Sequence, residues 1–181
     1  MSASDPKPFP LAFPAPVGDL FVLDEETLRM GVEGSRTSPR KRIVFPLHRT
    51  QDALVQRILN FMQPGTYARP HLHPRPDAVE TVTVLRGTVD FFRFDDAGKV
   101  LDRVTLRSCG LIDIEPNVWH TFIALSPDTV VLEAKRGPYD AVVDKTFADW
   151  SPAEDAGPET IGPWMERLRL ARVTAESGAW A

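Results

Sequence analysis

The chain has 181 residues and a net charge of −4, with 43% hydrophobic and 25% charged residues. These values are ordinary for one soluble globular domain that is large enough to bury a core. The acidic balance excludes the basic surface that would attract nucleic acid or an anionic membrane, and no apolar run approaches the roughly 20 residues of a membrane helix. Because there is one cysteine and no pattern of a signal peptide, we expect a cytoplasmic protein without a disulfide.

The first residues predict an extended arm and then a short helix. Residues 1–19 are rich in proline, which favours extended backbone over helix. Asp24 is placed to cap a helix over residues 25–34, because acidic residues occupy its first turn and Gly34 stands at its end.

The middle of the chain consists of short runs rich in Val, Ile, Leu, Phe and Thr. Gly87 separates two of these runs, and DDAG at 95–98 predicts a tight hairpin turn in which Gly98 takes a positive φ. Many short strands without intervening helices indicate an all-β sandwich or barrel. The predicted strands cover residues 42–47, 53–63, 79–86, 88–95, 99–107, 111–115, 120–125 and 129–135.

Beyond Trp150 the composition changes again. A linker rich in proline, glycine and acidic residues precedes an amphipathic helix that we expect to start near Pro163. The chain therefore divides into the arm at 1–19, a β-barrel domain with its leading helix at 20–150, and a linker with a C-terminal helix at 151–181.

Histidines are scarce in this chain, and two of the four are His71 and His73. Alternate residues of a strand share a face, so these imidazoles point the same way with Cβ atoms about 7 Å apart. Glu80 opens the next strand after a proline-containing loop, and His120 opens a later strand after a turn. The spacing predicts that all four side chains meet at one point.

Three neutral imidazoles and one carboxylate are donors that first-row divalent cations prefer. We therefore expect one divalent transition-metal ion, whether Fe, Mn, Ni, Co, Zn or Cu. Four protein ligands on a metal that takes six would leave two positions for water, dioxygen or substrate. A single pair of histidines is often only a surface or core feature, so the spacing of the whole set carries this prediction.

The spacing resembles the two motifs of the cupin superfamily. The first motif is similar to Gly65, His71, His73, Glu80 and Gly87, with a longer gap before the glutamate than is usual. The second is similar to Gly110, Pro116 and His120, with a turn one residue shorter and Ala124 in place of a common asparagine. The resemblance implies a double-stranded β-helix, a small β-barrel or jelly roll, with a short N-terminal helix and a C-terminal helix.

A narrower resemblance is to the WbuC-type cupin-fold metalloproteins, which are often encoded among surface-polysaccharide genes. It implies metal binding and suggests a carbohydrate-derived ligand, without implying a known reaction. The similar segments are SPRKR (38–42), LH (47–48), VQRILN (55–60), PGTYARPHLH (64–73), VWH (118–120) and EAKRGPYD (133–140).

Four further side chains are candidates for substrate binding. Arg57 and Arg40 would hold an anionic group if they face the mouth of the barrel, although an outward-facing arginine fits Arg57 equally well. His48 lies in a WbuC-like segment and is a candidate pocket residue. Tyr139 is expected, with Glu133 and Lys135, to close one end of the barrel.

Two residues are candidates for catalysis. Glu80 would act as a general base if its bond to the metal is weak. On a continuous strand Tyr67 would lie on the same face as His71 and His73. It would then contact the substrate or donate a hydrogen bond to a metal ligand, although a core tyrosine fits equally well.

We therefore expect a mononuclear metal-binding cupin that acts on a small organic molecule. The alternatives are a non-catalytic sensor or sugar-binding module, in which the metal only orients a ligand, and a purely structural metal. Exposed edge strands and the amphipathic C-terminal helix favour a homodimer. Metal binding should weaken below pH ~6.5, because protons then compete for the histidines.

Overall fold

The computed structural model describes residues 9–171, so the first eight residues of the proline-rich arm and the last ten residues of the chain lie outside the described part. Helix α1 (Glu25–Thr37) begins as predicted, because the Asp24 carboxylate accepts a hydrogen bond of 2.8 Å from the Thr27 N–H. The predicted end at Gly34 is wrong. This glycine lies inside the helix against Phe13, where a Cβ would come within 2.9 Å of the ring.

Ten strands are found in the described part. All eight predicted strands are present to within two residues at each end, and the two additional strands have only two residues each. The strands are β1 (Arg42–Pro46), β2 (Val55–Met62), β3 (His71–Leu72), β4 (Glu80–Arg86), β5 (Thr88–Phe94), β6 (Val100–Arg107), β7 (Leu111–Ile114), β8 (Trp119–Ala124), β9 (Thr129–Arg136) and β10 (Thr146–Phe147).

The strands form two five-stranded antiparallel sheets that face each other. The first sheet has the order β1-β2-β9-β4-β7 and the second β10-β3-β8-β5-β6. The DDAG turn joins β5 and β6 as predicted, with Gly98 at a φ of 82°. The all-β prediction is therefore confirmed.

Apolar side chains fill the space between the two sheets, and further apolar clusters cover the outer face of each sheet. Met62, Val84 and Phe122 belong to the cluster between the sheets. On the outside of the first sheet, α1 packs so closely that a Cβ on Gly31 would lie 2.3 Å from the Phe61 ring. A third cluster covers the outside of the second sheet, where Phe92 and Ile123 meet the C-terminal helix.

The C-terminal helix α2 (Pro158–Leu170) begins upstream of the expected start, and Pro163 lies inside it. Pro158 and Pro163 both suit the first turn of a helix, where the N–H that proline lacks is not needed for a hydrogen bond. The composition therefore did not show which of them begins the helix. The apolar side chains Trp164, Met165 and Leu168 are buried against the second sheet. In the described part of the chain, neither helix has the length and apolar character required to cross a membrane.

Candidate metal centre

The structure brings His71, His73, Glu80 and His120 together between the two sheets. One possible ligand atom from each side chain lies within 4.8 Å of the others. Strand pairing explains this meeting, since His71 of β3 lies directly opposite His120 of β8. Glu80 opens β4 of the facing sheet, so the cluster spans the interior. All four side chains are buried, with 7% or less of each residue exposed.

A hydrogen bond at Nδ1 fixes the orientation of each histidine ring. Each Nδ1 lies beside a backbone carbonyl oxygen, which can only accept a hydrogen bond, so each Nδ1 carries a proton and donates it. The accepting oxygens belong to Arg69 at 2.9 Å for His71, Asp144 at 2.7 Å for His73 and Val118 at 2.9 Å for His120. In the neutral rings, the Nε2 lone pairs are therefore free to face the centre of the cluster.

Acceptor atoms face one another at this centre. The Nε2 atoms of His73 and His120 each lie 3.2 Å from Oε2 of Glu80. His120 Nε2 is also buried without a hydrogen-bond partner in the described structure. Lone pairs and a carboxylate gathered in this way repel one another unless a cation lies between them.

The charge states of the cluster suit a cation. Burial, and then the nearby positive charge of Lys145, hold the pKa of His71 well below its usual range, so its ring stays neutral. A neutral imidazole and an ionised carboxylate are the ligand forms of these side chains. The donor set therefore fits a divalent transition metal.

The four predicted substrate-binding residues lie apart from this centre. Arg57 is exposed on β2, and Arg40 hydrogen-bonds the Leu11 carbonyl at 3.4 Å. His48 is buried, but its Nδ1 contacts the backbone N and O of Arg57 at 3.1 and 2.9 Å. Tyr139 is 45% exposed in the segment after β9. The structure does not bring these side chains to the four-residue cluster.

Tyr67 also lies away from the centre, which corrects the catalytic interpretation of this residue. Its ring packs against Trp164 at 5.4 Å in the outer cluster, and its hydroxyl donates to the Pro152 carbonyl at 2.7 Å. Burial raises the pKa of Tyr67 to about 12, so the hydroxyl keeps its proton. Residues 63–70 are not a strand, so the alternation of faces does not extend from His71 back to Tyr67.

Sequence reasoning gave too little weight to a group of polar side chains beside the cluster. Asn60 donates to Oε1 of Glu133 at 3.1 Å, and Lys135 donates to the Asp144 carboxylate. The Asp144 backbone carbonyl also orients His73. The available signal was the alternation along β9, where Glu133 and Lys135 continue the inward face begun by Val131.

Comparisons with known proteins agree on the fold. The family model described as a domain of unknown function (DUF6016) matches residues 23–106, which include His71, His73 and Glu80. A search of curated protein sequences gave no match.

Among solved structures, a Klebsiella pneumoniae protein with a double-stranded β-helix domain is 18% identical, with a TM-score of 0.51 over 74% of this chain and 99% of that one. An oxalate oxidase is 16% identical, with a TM-score of 0.50 over 75% of this chain and 69% of that one. KdgF from Halomonas sp. is 18% identical over 56% of this chain and 82% of that one, with a TM-score of 0.45. With the two facing sheets, the first two likenesses show that this chain has the cupin double-stranded β-helix fold.

Proposed function

We propose that this chain is a mononuclear metal-dependent cupin that acts on a small organic molecule. His71, His73, Glu80 and His120 would hold one divalent transition-metal ion. The observation that carries the proposal is the convergence of acceptor atoms, with His120 Nε2 buried and unpartnered and two Nε2 atoms 3.2 Å from the Glu80 carboxylate. When bound, such an ion polarises a substrate oxygen or, if redox-active, supports oxygen chemistry.

The residues of the chain prepare this site before any ligand arrives. Backbone carbonyls orient the three imidazoles, so little side-chain freedom is lost on metal binding. The Glu80 carboxylate supplies one negative charge. Burial of the cluster excludes water and strengthens the electrostatic attraction of these ligands for a cation. Such a site binds and orients a small molecule at the open positions of the ion.

A carbohydrate-derived substrate and a role linked to surface polysaccharides are the finer part of the proposal. They are supported by the WbuC-like segments of the sequence. Metal identity is left open, because the three-imidazole, one-carboxylate set accepts several first-row cations.

A second candidate function is non-catalytic metal-dependent binding, as in a sensor module. It is favoured by the position of Tyr67, whose hydroxyl is bonded to the Pro152 carbonyl away from the centre, and by the role of Glu80 as a metal ligand, since a carboxylate bound to the ion is a poor general base. Saturable binding without turnover of any bound compound would support this function over catalysis.

A homodimer stays a prediction. The apolar face of α2 is already buried against the second sheet, so this helix does not offer it to a partner. Strand β6, which lies at the edge of the second sheet, is the better candidate for pairing between copies.

Elemental analysis of protein purified without chelator or metal-affinity resin tests the metal site. We expect about one equivalent of a transition metal in the wild type and less than about a tenth of that in a His71→Ala/His73→Ala variant. His48→Ala is the matched control, because it removes a buried histidine outside the cluster and should retain the metal. No metal in any of these proteins after reconstitution with several ions would refute the proposal.

A further inference from the structure

The first sheet presents polar side chains to the interior beside the candidate metal centre. Asn60 on β2 and Glu133 and Lys135 on β9 form what we call the inner polar wall. Strand register places them on the inward face, because Lys135 lies opposite Glu80 and Asn60 lies opposite Val131. Val131 belongs to the cluster between the sheets.

Asn60 lacks a hydrogen-bond partner that its burial demands. Only 8% of the residue is exposed, and its Nδ2 donates to Glu133 Oε1 at 3.1 Å. Its Oδ1 is buried and has no partner among the described residues. If the amide were turned over, the nitrogen would be the unpaired atom instead. A buried amide atom without a partner is unfavourable, so a polar group of a ligand would complete the wall in either orientation.

The charges of the wall discriminate between classes of ligand. Lys135 is already paired with the Asp144 carboxylate, so the wall offers no uncompensated cation. Glu133 is buried, and burial together with the nearby charge of Glu80 raises its pKa. Lys145 is close enough to lower the pKa of Glu133, but its side chain is exposed and its effect is smaller than those of burial and Glu80. A carboxylate or phosphate placed against the wall would therefore meet mainly an acid and a neutral amide. A hydroxyl group both donates and accepts, so it suits either orientation of Asn60 and either protonation state of Glu133.

The wall lies within reach of a small molecule bound at the metal. Strand β2 is two strands away from β4, which carries Glu80, and neighbouring strands are about 4.8 Å apart. Strand register puts Gln56, and not Asn60, level with Glu80, so Asn60 is also four residues farther along β2. The backbones of Asn60 and Glu80 are therefore on the order of 16 Å apart. Glu133 is nearer, because it lies opposite Val82 on the strand next to β4. A short ligand on the ion would therefore reach Glu133, whereas a chain of roughly six carbons with a hydrogen bond at its end is needed to reach Asn60.

We propose that the inner polar wall is the recognition subsite for the hydroxylated tail of the substrate, which is a polyol or sugar derivative without a second anionic group. This inference rests on the proposed function, because the other end of the ligand binds the metal ion. No residue of the wall takes over the anion-binding role that the sequence suggested for Arg57 and Arg40.

Cobalt-loaded protein provides the test, because the visible spectrum of Co²⁺ reports ligand binding at the metal. The probes are threonate compared with 2-hydroxybutyrate, and gluconate compared with 2-hydroxyhexanoate. Each pair shares the carboxylate and its neighbouring hydroxyl and differs only in the tail. We expect the hydroxylated member of at least one pair to bind about tenfold more tightly to the wild type.

Asn60→Leu removes the amide at similar volume and should abolish this preference while leaving the affinity for 2-hydroxybutyrate and 2-hydroxyhexanoate unchanged. Ile58→Leu, at the neighbouring inward position of β2, should keep the preference. Asn60→Ala replaces Asn60→Leu if circular dichroism shows that the leucine variant does not fold.

Three results would overturn the inference. The first is an equal preference for hydroxylated tails in wild type and Asn60→Leu, and the second is the absence of any preference in the wild type. The third is binding of glucarate as tight as that of gluconate, which would show that the wall accepts a second carboxylate. Cobalt stoichiometry is measured separately: a failure to bind cobalt removes the proposed function and this inference together, whereas normal cobalt binding without a tail preference removes this inference alone.

Discussion

The interior of the barrel has two ends of opposite character, although the same strands build both. On β4 the inward residues change from Glu80 to Val82 and Val84, and on β8 they change from His120 to Phe122. The apolar end contains Met62, Val82, Val84, Val89, Phe91, Leu106, Ile114, Phe122, Ala124 and Val131. The polar end contains the four-residue cluster with Glu133 and Lys135, and Asn60 lies at the boundary, opposite Val131 of the apolar end.

Within the space between the two sheets, the apolar end mainly stabilises the fold and the polar end carries the candidate function. The apolar end removes hydrocarbon from water, which is the main stabilising contribution to folding. The polar end buries acceptors and charges that stabilise the fold only when they are paired. Substitutions at the apolar end should therefore unfold the protein, whereas those at the polar end should remove metal and ligand binding first.

The largest expected effect is a loss of stability at the apolar end. Phe122→Ala should lower the free energy of unfolding by about 3–5 kcal/mol, because it removes a buried ring and leaves a cavity. Urea unfolding of metal-free protein measures this change. Phe147→Ala, at a ring that is 43% exposed, should cost less than about 1 kcal/mol. Similar losses in the two variants would contradict the division between the ends.

Metal addition should stabilise the protein through the polar end. An ion at 100 times its dissociation constant should add about 2.7 kcal/mol, which corresponds to a rise in Tm of roughly 5–10 °C for a chain of this size. Thermal unfolding with and without metal measures the shift. His120→Ala should abolish it, and His48→Ala should show the wild-type shift. A full shift in His120→Ala would exclude this histidine as a ligand.

The stability of the metal-free protein should decrease at acid pH partly because of His71. The pKa of this buried imidazole is lowered in the folded state, so below the unfolded pKa of about 6.5 the unfolded chain binds more protons. The contribution of His71 is thus full above that pH and is lost progressively as the pH falls towards the folded pKa. Wild type should lose more stability than His71→Gln between pH 7.5 and 5.5 in urea unfolding. Equal losses would contradict the neutral, buried imidazole.

The smallest effect concerns the wall. Burial, followed by the charge of Glu80, raises the folded pKa of Glu133, so stability is lost as the pH rises from the unfolded pKa through the folded one. Glu133→Gln removes this titration and keeps an acceptor for Asn60. The variant should be more stable than wild type at pH 8, by up to about 1 kcal/mol, and the advantage should disappear near pH 4. An advantage that is independent of pH would show another cause.

Prediction from the sequence succeeded where the signal was local. The cap at Asp24, the positive φ of Gly98 and the eight longer strands follow from turn chemistry and short apolar runs. It failed where the alternation of faces along a strand was assumed for a residue outside that strand. Tyr67 was assigned a face from strand alternation, but it lies in a segment that is not a strand.

The site was predictable to a similar degree. The histidine spacing and the resemblance to cupin motifs selected the four residues that the structure gathers. The orientation of their rings was not predictable, because the carbonyl that holds His73 belongs to Asp144, 71 residues later in the chain. His48 was chosen by segment similarity, and Arg57, Arg40 and Tyr139 were chosen by their expected place in the barrel. Neither criterion states where a side chain points.

The sequence by itself determined the strands, the tight turns and the set of histidines and glutamate with metal-ligand chemistry. These features depend on residues near one another, whose alternation, capping and turn preferences act over a few positions. Only the tertiary structure decided that Tyr67 belongs to the outer layer and that Asn60, Glu133 and Lys135 form a wall beside the candidate metal centre. The reason is physical: which face of a strand looks inward, and which strands become neighbours, depends on pairing between segments far apart in the chain.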